Sequence, residues 1–363
     1  MAIREKGEEM AGKSGFLATV VILILAGCVG GAPGPSVKPR NALSEKCAVP
    51  GNKPSEYTDH EYLLALSGGG YRAMLFHVGA LWRLNELGYL PRVSTISSVS
   101  GGSIVAGILA AKWENLNFTI EGRATCFEQL VAGPLIRLAE QTIDWPSVIS
   151  GLSPFDSASD SLKREYAQRL FGNLALKNLP VKPKFIFNSV NYQTGEIWTF
   201  SKEKMGDALL GYIQNPDIEM ATVVTASSAF PPFLAPMELN LSNVPSGNWI
   251  LKEERESIKT REQRDKLRKN VLLVDGGVLD NLGLESISGK SKTLGNKKLG
   301  NIFVSDGSSG FERIKNPPTN WISQLLRVLD LIHSQPATLR TKNLIDRYKA
   351  LKPDGVYWNM WKL

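Results

Sequence analysis

STISSVSGGSIVAG, residues 94–107, packs five serines, a glycine pair and an apolar run into one short segment. Val93 to Val99 mixes β-branched and small side chains, the pattern of a buried strand. Gly101 and Gly102 follow, and SIVAGILAAKW then reads as a helix. Strand, serine on a strained turn, and a helix admitted closely by small residues together make a nucleophile elbow, which presents the serine Oγ above a sheet. Ser100 is the serine with a strand before it and glycines directly after it. The x-Ser-x-Gly frame is Ser98-Val99-Ser100-Gly101-Gly102, with Ser98 where the first glycine usually stands. Ser94 and Ser97 fall within the strand, and Ser103 falls in the first helical turn, as a cap would. A purely structural turn is the competing reading, so the decision passes to other segments.

EYLLALSGGGYRAMLFHVGALWRLNELG, residues 61–88, repeats the layout. Tyr62 to Leu66 is a short buried strand, Ser67-Gly68-Gly69-Gly70 a tight loop, and apolar residues recur at helical spacing from Ala73 to Leu87. Such a loop turns backbone N–H groups outward at the positive end of a helix dipole, where a phosphate or an oxyanion can be held. The spacing is neither GxGxxG nor a Walker loop, which sets nucleotide binding aside. In KNVLLVDGGVLDNLGLE, residues 269–285, an apolar strand leads into Asp275-Gly276-Gly277. Catalytic groups of open sheets gather outside the carboxyl ends of strands, and an aspartate there can accept a proton. The plain alternative is an Asp-Gly turn. NIFVSDGSSG, residues 301–310, offers Asp306 as a rival strand-end aspartate, and His77, one turn past the glycine loop, is a further candidate base.

Together these residues resemble the patatin-like phospholipase family, with its glycine-rich oxyanion loop, nucleophile elbow and downstream Asp-Gly-Gly in that order. SGGGYRA (67–73) is similar to the oxyanion loop, Ser100 matches the nucleophile and Asp275 the catalytic aspartate; TASSAFPPFLAP (225–236) resembles the small-residue and proline segment between them. The resemblance covers about residues 61–310. It implies a three-layer α/β/α fold with a mainly parallel central sheet and a Ser–Asp dyad, without metal or cofactor. Backbone N–H groups of Gly68, Gly69, Gly70 and Gly101 would form the oxyanion hole, and Arg72 would bind a substrate phosphate or tie down the loop. The histidine count agrees with a dyad: His60, His77 and His333 are the three in the chain, and none follows a strand end. The implied substrate is a phospholipid or other acyl lipid. A small-ester hydrolase, an acyltransferase on the same site and an inactive lipoprotein scaffold are the alternatives. SPFDSASDSLKREYAQRLFGNL (153–174) is the candidate cap over the site.

The chain's start points to a membrane. GKSGFLATVVILILAGC sets Lys13 before an apolar run too short for an ordinary span and suited to a signal-peptide core. Leu25-Ala26-Gly27-Cys28 resembles the bacterial lipobox, so residues 1–27 read as a lipoprotein signal peptide with Cys28 as the lipidated residue; Met10 makes a cleaner start than Met1. Residues 28–60 form a Gly/Pro-rich tether, 61–312 the hydrolase domain and 313–363 a C-terminal helical extension. The expected place is a bacterial envelope, facing the periplasm, with Val29 after the cysteine favouring the outer membrane. Cys47 and Cys126 could pair there, or stand as separate thiols. Three cysteines without CxxC spacing argue against structural zinc. A formal charge of +7 favours anionic surfaces. The densest charged run, 251–270, mixes both signs, so it reads as a solvated helix or insertion and nucleic acid is not an expected partner. Oligomeric state is left open.

Overall fold

The computed structural model describes residues 62–141, 158–231, 234, 236–251, 261–287, 301–308 and 356–359, together with the isolated positions 320, 324, 327 and 342. The signal and tether segments with Cys28, Cys47 and His60, and His333 with most of 313–363, lie outside the described residues.

The chain alternates strands and helices as its periodicities predict. Strand β1 (Tyr62–Leu66) leads into α1 (Gly70–Glu86), β2 (Val93–Val99) into α2 (Gly101–Lys112), and two helices follow, α3 (Gly133–Gln141) and α4 (Ala158–Tyr166). Then come β3 (Lys184–Asn191), β4 (Ile197–Phe200), β5 (Lys204–Asp207), β6 (Gly211–Gln214) and α5 (Met220–Ser228). The last described elements are β7 (Met237–Asn240), β8 (Trp249–Ile250), α6 (Arg261–Lys269), β9 (Asn270–Asp275), β10 (Asn301–Asp306) and β11 (Val356–Asn359). The strands form one mixed sheet in the order β11-β10-β1-β2-β3-β4-β5-β6-β8, with β9 joined to β3 and β7 to β9. The run β11-β10-β1-β2-β3 is parallel, and β4 to β6 and β8 extend it antiparallel. This is the expected α/β architecture, a central sheet flanked by helices.

Side-chain alternation along the parallel strands divides the core. Leu64 and Leu66 of β1, Ile96 of β2 and Phe185 and Phe187 of β3 join α1, α2, α3 and α5 in one large cluster. Their neighbours Ala65, Ile186 and Val304 face the other way and meet Leu284 and Ile287. Helix α2 is apolar on all sides, and every residue from Gly101 to Ala110 is buried, as a helix without a polar face must be. It lies between α1, α5 and the sheet, so the turn in front of it has little freedom.

Strand β3 organises the site. Its one edge pairs with β4 at Phe187–Val190, and the other pairs first with β2, through Val99↔Asn188, and then with β9, through Ser189↔Asp275. Strand β2 runs parallel to β3 and β9 antiparallel, so the carboxyl ends of β2 and β9 meet head to head along one edge of β3. Asp275 thus arrives at the carboxyl edge of the parallel strands, as expected, but on a strand running the opposite way.

Two local expectations change. Helix α6 forms within the mixed-charge run, yet Arg264 and Arg268 are buried rather than solvated. Arg268 stacks 4.7 Å from the Trp249 ring centroid and donates from Nε to the Leu210 carbonyl at 2.8 Å, so its stem and head both serve packing. Within 313–363, Val356–Asn359 forms a strand parallel to β10, an element absent from the helical reading of that segment.

Candidate active site

Ser100 occupies the turn between β2 and α2 with φ 52° and ψ −120°, a left-handed backbone that costs a non-glycine residue of order 1–3 kcal/mol. Packing explains why it persists. The following residue must be glycine, since a Cβ on Gly101 would stand 2.2 Å from the Gly70 carbonyl oxygen. The Gly102 N–H donates to the Ser67 carbonyl at 3.1 Å, tying the elbow to the glycine loop. The neighbouring serines are structural. Ser94 Oγ donates to the Tyr62 carbonyl at 3.0 Å and Ser97 Oγ to the Gly283 carbonyl at 2.6 Å. Ser98 Oγ donates to the Ile186 carbonyl at 3.3 Å. Ser103 is not a helix cap; its hydroxyl is buried against Ser98 Oγ and Ser227 Oγ.

Ser100 and Asp275, the two residues the sequence singled out, come together: the Ser100 side chain is near enough to act on the Asp275 carboxyl as a hydrogen-bonding neighbour that lowers its pKa. Asp275 is 2% exposed, and its Oδ1 also accepts the Gly277 N–H at 2.7 Å. Burial is the largest influence on this carboxyl and raises its pKa from 3.8 to about 6, against the opposing hydrogen bonds from Ser100 and Gly277. A carboxylate so tuned is a far better proton acceptor near neutrality than an exposed one. The consequence for rate has a definite sign, because the base works ionised: kcat/KM should rise with pH through an apparent pKa near 6 and be flat above it. A pH–rate profile on a soluble ester with a non-ionising leaving group tests this. An acid limb displaced to the ordinary range near 4 would exclude a buried base.

The rival bases are engaged elsewhere. His77 is wholly buried, and burial, outweighing its hydrogen bond to Ser67, lowers its pKa to about 4. A carbonyl can only accept, so His77 Nε2 donates to the Ser67 carbonyl at 2.8 Å, and Nδ1 accepts from the Ser305 hydroxyl at 2.7 Å. A neutral His77 therefore braces the glycine loop from behind. Asp306 turns back on its own loop, where Oδ1 accepts the Ser308 N–H at 3.0 Å and the Ser308 hydroxyl.

The N–H groups of Gly69, Gly70 and Gly101 meet no acceptor among the described residues. Gly70 and Gly101 each open a helix, where the first N–H groups lack intrahelical partners by construction. Contact between the Gly70 peptide and Gly101 places them side by side beside Ser100. Gly68 is not a donor to this hole, because its N–H donates to the Asn281 carbonyl at 2.9 Å. Asn281 escapes sequence reasoning, since nothing in DGGVLDNLGLE distinguishes it from a turn residue; its carbonyl holds the glycine loop against the Asp275 turn. Arg72 is exposed next to the loop.

Within the candidate cap, α4 ends at Tyr166, which is 2% exposed. Burial raises its phenol pKa, with Tyr71 and the nearby Asp275 charge as further influences. This segment therefore packs near Asp275. Cys126 is disulfide-bonded; the chain's other two cysteines, Cys28 and Cys47, lie outside the described residues. No cluster of three or more metal-ligating side chains is found among the described residues.

An α/β sheet with a serine on a strained strand-to-helix turn, a hydrogen-bonded aspartate and unpaired N–H groups beside them defines the architecture and site. The chain belongs to the patatin-like phospholipase family, whose sequence model matches residues 64–287. Among solved structures, human GIVD cytosolic phospholipase A2 is similar at 14% identity with a TM-score of 0.39, over 68% of this chain and 43% of that one. VipD from Legionella pneumophila is similar at 17% identity with a TM-score of 0.30, over 62% of this chain and 47% of that one. The chain thus spans under half the length of either protein. No match was found among curated protein sequences.

Proposed function

We propose that this protein is a serine lipid acyl hydrolase of phospholipase A or esterase type, working through a Ser100–Asp275 dyad. Ser100 Oγ attacks the ester carbonyl as Asp275 takes its proton. The oxyanion is held by the N–H groups of Gly69, Gly70 and Gly101, a contribution worth about 3 kcal/mol per donor in comparable sites. Collapse of the tetrahedral intermediate breaks the acyl–oxygen bond, and Asp275 returns the proton to the departing alcohol. Water then attacks the acyl-enzyme with Asp275 again accepting a proton, which releases the carboxylic acid and restores Ser100. The observation that carries this reading is Ser100 beside the buried Asp275 carboxyl, whose pKa is raised to about 6, in a chain of this family.

The lipid substrate and the membrane setting are part of the same proposal. The family description, the net charge of +7 and the lipobox-like run ending at Cys28 favour an enzyme tethered to an anionic bilayer. The disulfide at Cys126 favours an oxidising compartment such as the periplasm.

One experiment addresses the whole reading. Purified protein is treated with a fluorophosphonate probe, the adduct is mapped by mass spectrometry, and turnover is followed on fatty-acyl-labelled phosphatidylglycerol vesicles and on a short-chain ester. An adduct on Ser100 with release of labelled fatty acid is expected. An adduct on another residue overturns the nucleophile, and turnover of the short-chain ester alone overturns the lipid assignment. In bacteria fed labelled palmitate, the label should enter the protein and vanish in Cys28→Ser; a label that survives overturns the anchor.

A further inference from the structure

We propose that Ser227 is a positioning residue of the dyad, its hydroxyl holding the strained elbow so that Ser100 Oγ faces Asp275. The proposal rests on Ser100 being the nucleophile. Ser227 stands near the end of α5 and is wholly buried. Its Oγ accepts the Ser100 N–H at 3.1 Å and donates to the Asn188 carbonyl at 2.6 Å, with Ser103 Oγ 2.8 Å away. Asn188 is the β3 residue opposite Val99, the last residue of β2. One hydroxyl therefore fastens the nucleophile's own peptide to the strand that aligns β2 with β9.

The same turn of chain holds the other partner. Two residues beyond Ser227, the Ala229 carbonyl accepts the Asp275 N–H at 3.0 Å. Residues 227 and 229 thus grip the backbone N–H of both dyad members from one short segment. The bond from Ser100 also decides which amide serves the oxyanion. A left-handed elbow residue has its N–H in a buried place, where an unpaired donor is costly. Ser227 Oγ satisfies that donor inward, which leaves the next amide, Gly101 N–H, at the site. Without the hydroxyl, the Ser100 peptide gains a reason to rotate toward another acceptor, and its Oγ moves with it. Displacements near 1 Å at a reacting centre can cost about 100-fold in rate.

Packing alone would also account for a buried serine, and a neighbouring hydroxyl separates the two roles. Ser103 shares the buried cluster but makes no bond to Ser100 N–H; its hydroxyl meets Ser98 and Ser227. The test measures kcat, KM and the second-order rate of fluorophosphonate labelling on a short-chain ester for Ser227→Ala, Ser227→Cys and Ser103→Ala. Thermal melts accompany each, and rates are expressed per titrated site. For Ser227→Ala, kcat and the labelling rate should fall together by about 10- to 100-fold with KM within about twofold. Ser227→Cys, whose sulfur is a weak acceptor, should show a smaller loss, and Ser103→Ala should match its melting shift while keeping kcat. Equal kcat and labelling for Ser227→Ala and Ser103→Ala overturn the proposal. Should Ser227→Ala not fold, full kcat in Ser227→Cys overturns it. Ser100→Ala run in parallel distinguishes the two failures, because labelling that persists there removes the nucleophile on which the proposal depends.

Discussion

Ser100→Ala is expected to lower ester turnover by roughly 10⁴-fold or more and to abolish fluorophosphonate labelling. The residue contributes the hydroxyl beside the Asp275 carboxyl, so its removal deletes the proposed attacking atom and leaves the proposed base with no hydroxyl to deprotonate. The Ser100 N–H bond to Ser227 Oγ at 3.1 Å does not involve the lost atom, so the elbow survives. Stability should stay within about 1 kcal/mol of the parent, as for other substitutions that neither open a large cavity nor strand a buried charge. A second effect follows from the proximity of Ser100 to Asp275. The Ser100 hydroxyl lowers the Asp275 pKa, and without it burial acts with less opposition, so the carboxyl should titrate higher in the variant. Labelling that survives in Ser100→Ala, with a native circular dichroism spectrum, would sink the assignment.

Asp275→Asn should lower kcat by about 10³- to 10⁴-fold, the range seen when the group that orients or deprotonates a serine is replaced by its amide. Its effect on stability runs the other way. A buried carboxyl whose pKa rises from 3.8 unfolded to about 6 folded stabilises the fold least when ionised. That contribution is fully present below the unfolded pKa and is lost as pH rises through the folded one. The loss over about two pKa units is roughly 3 kcal/mol. Asparagine retains an oxygen for the Gly277 N–H, which donates at 2.7 Å, and it carries no charge to desolvate. Asp275→Asn should therefore melt with the parent near pH 4 and above it at pH 7.5. Melting curves across that range, together with turnover, test both halves. A variant that loses stability at pH 7.5, or keeps substantial turnover, would remove Asp275 from the role of buried base.

The local grammar of the site was legible because each candidate catalytic residue sits at a change of periodicity. Ser100 stands where a period-two pattern gives way to helical spacing, and Asp275 where a continuous apolar strand stops at two glycines. Sequence could not weigh the rivals by environment. Asp306 also ends a strand, and its exclusion depends on Ser308 bonding back to it. His77 lies within the right helix, but which carbonyl and hydroxyl its nitrogens meet is a fact of strands far away in the chain. Gly68 belongs to the glycine loop like its neighbours, and only Asn281, brought in by tertiary packing, takes its N–H out of use. Strand direction was hidden for a similar reason: an apolar run fits a parallel or an antiparallel strand equally well. Ser227 lay inside a recognised segment whose small residues suggested close packing, with no local sign of which peptide its hydroxyl would hold.

The head-to-head meeting of β2 and β9 along β3 carries a consequence for when the proposed dyad is assembled. Val99, the residue before Ser100, and Asp275 pair with adjoining residues of β3, Asn188 and Ser189, so the spacing of Ser100 and Asp275 is set from neighbouring rungs of a third strand. Neither half is competent alone, and the aspartate belongs to one of the last strands of the domain to leave the ribosome. A growing chain therefore displays the serine long before it owns a base. On the proposed mechanism, activity waits until β9 docks, a long-range pairing of the slow kind. Strand order thus sets the moment at which the proposed dyad is completed.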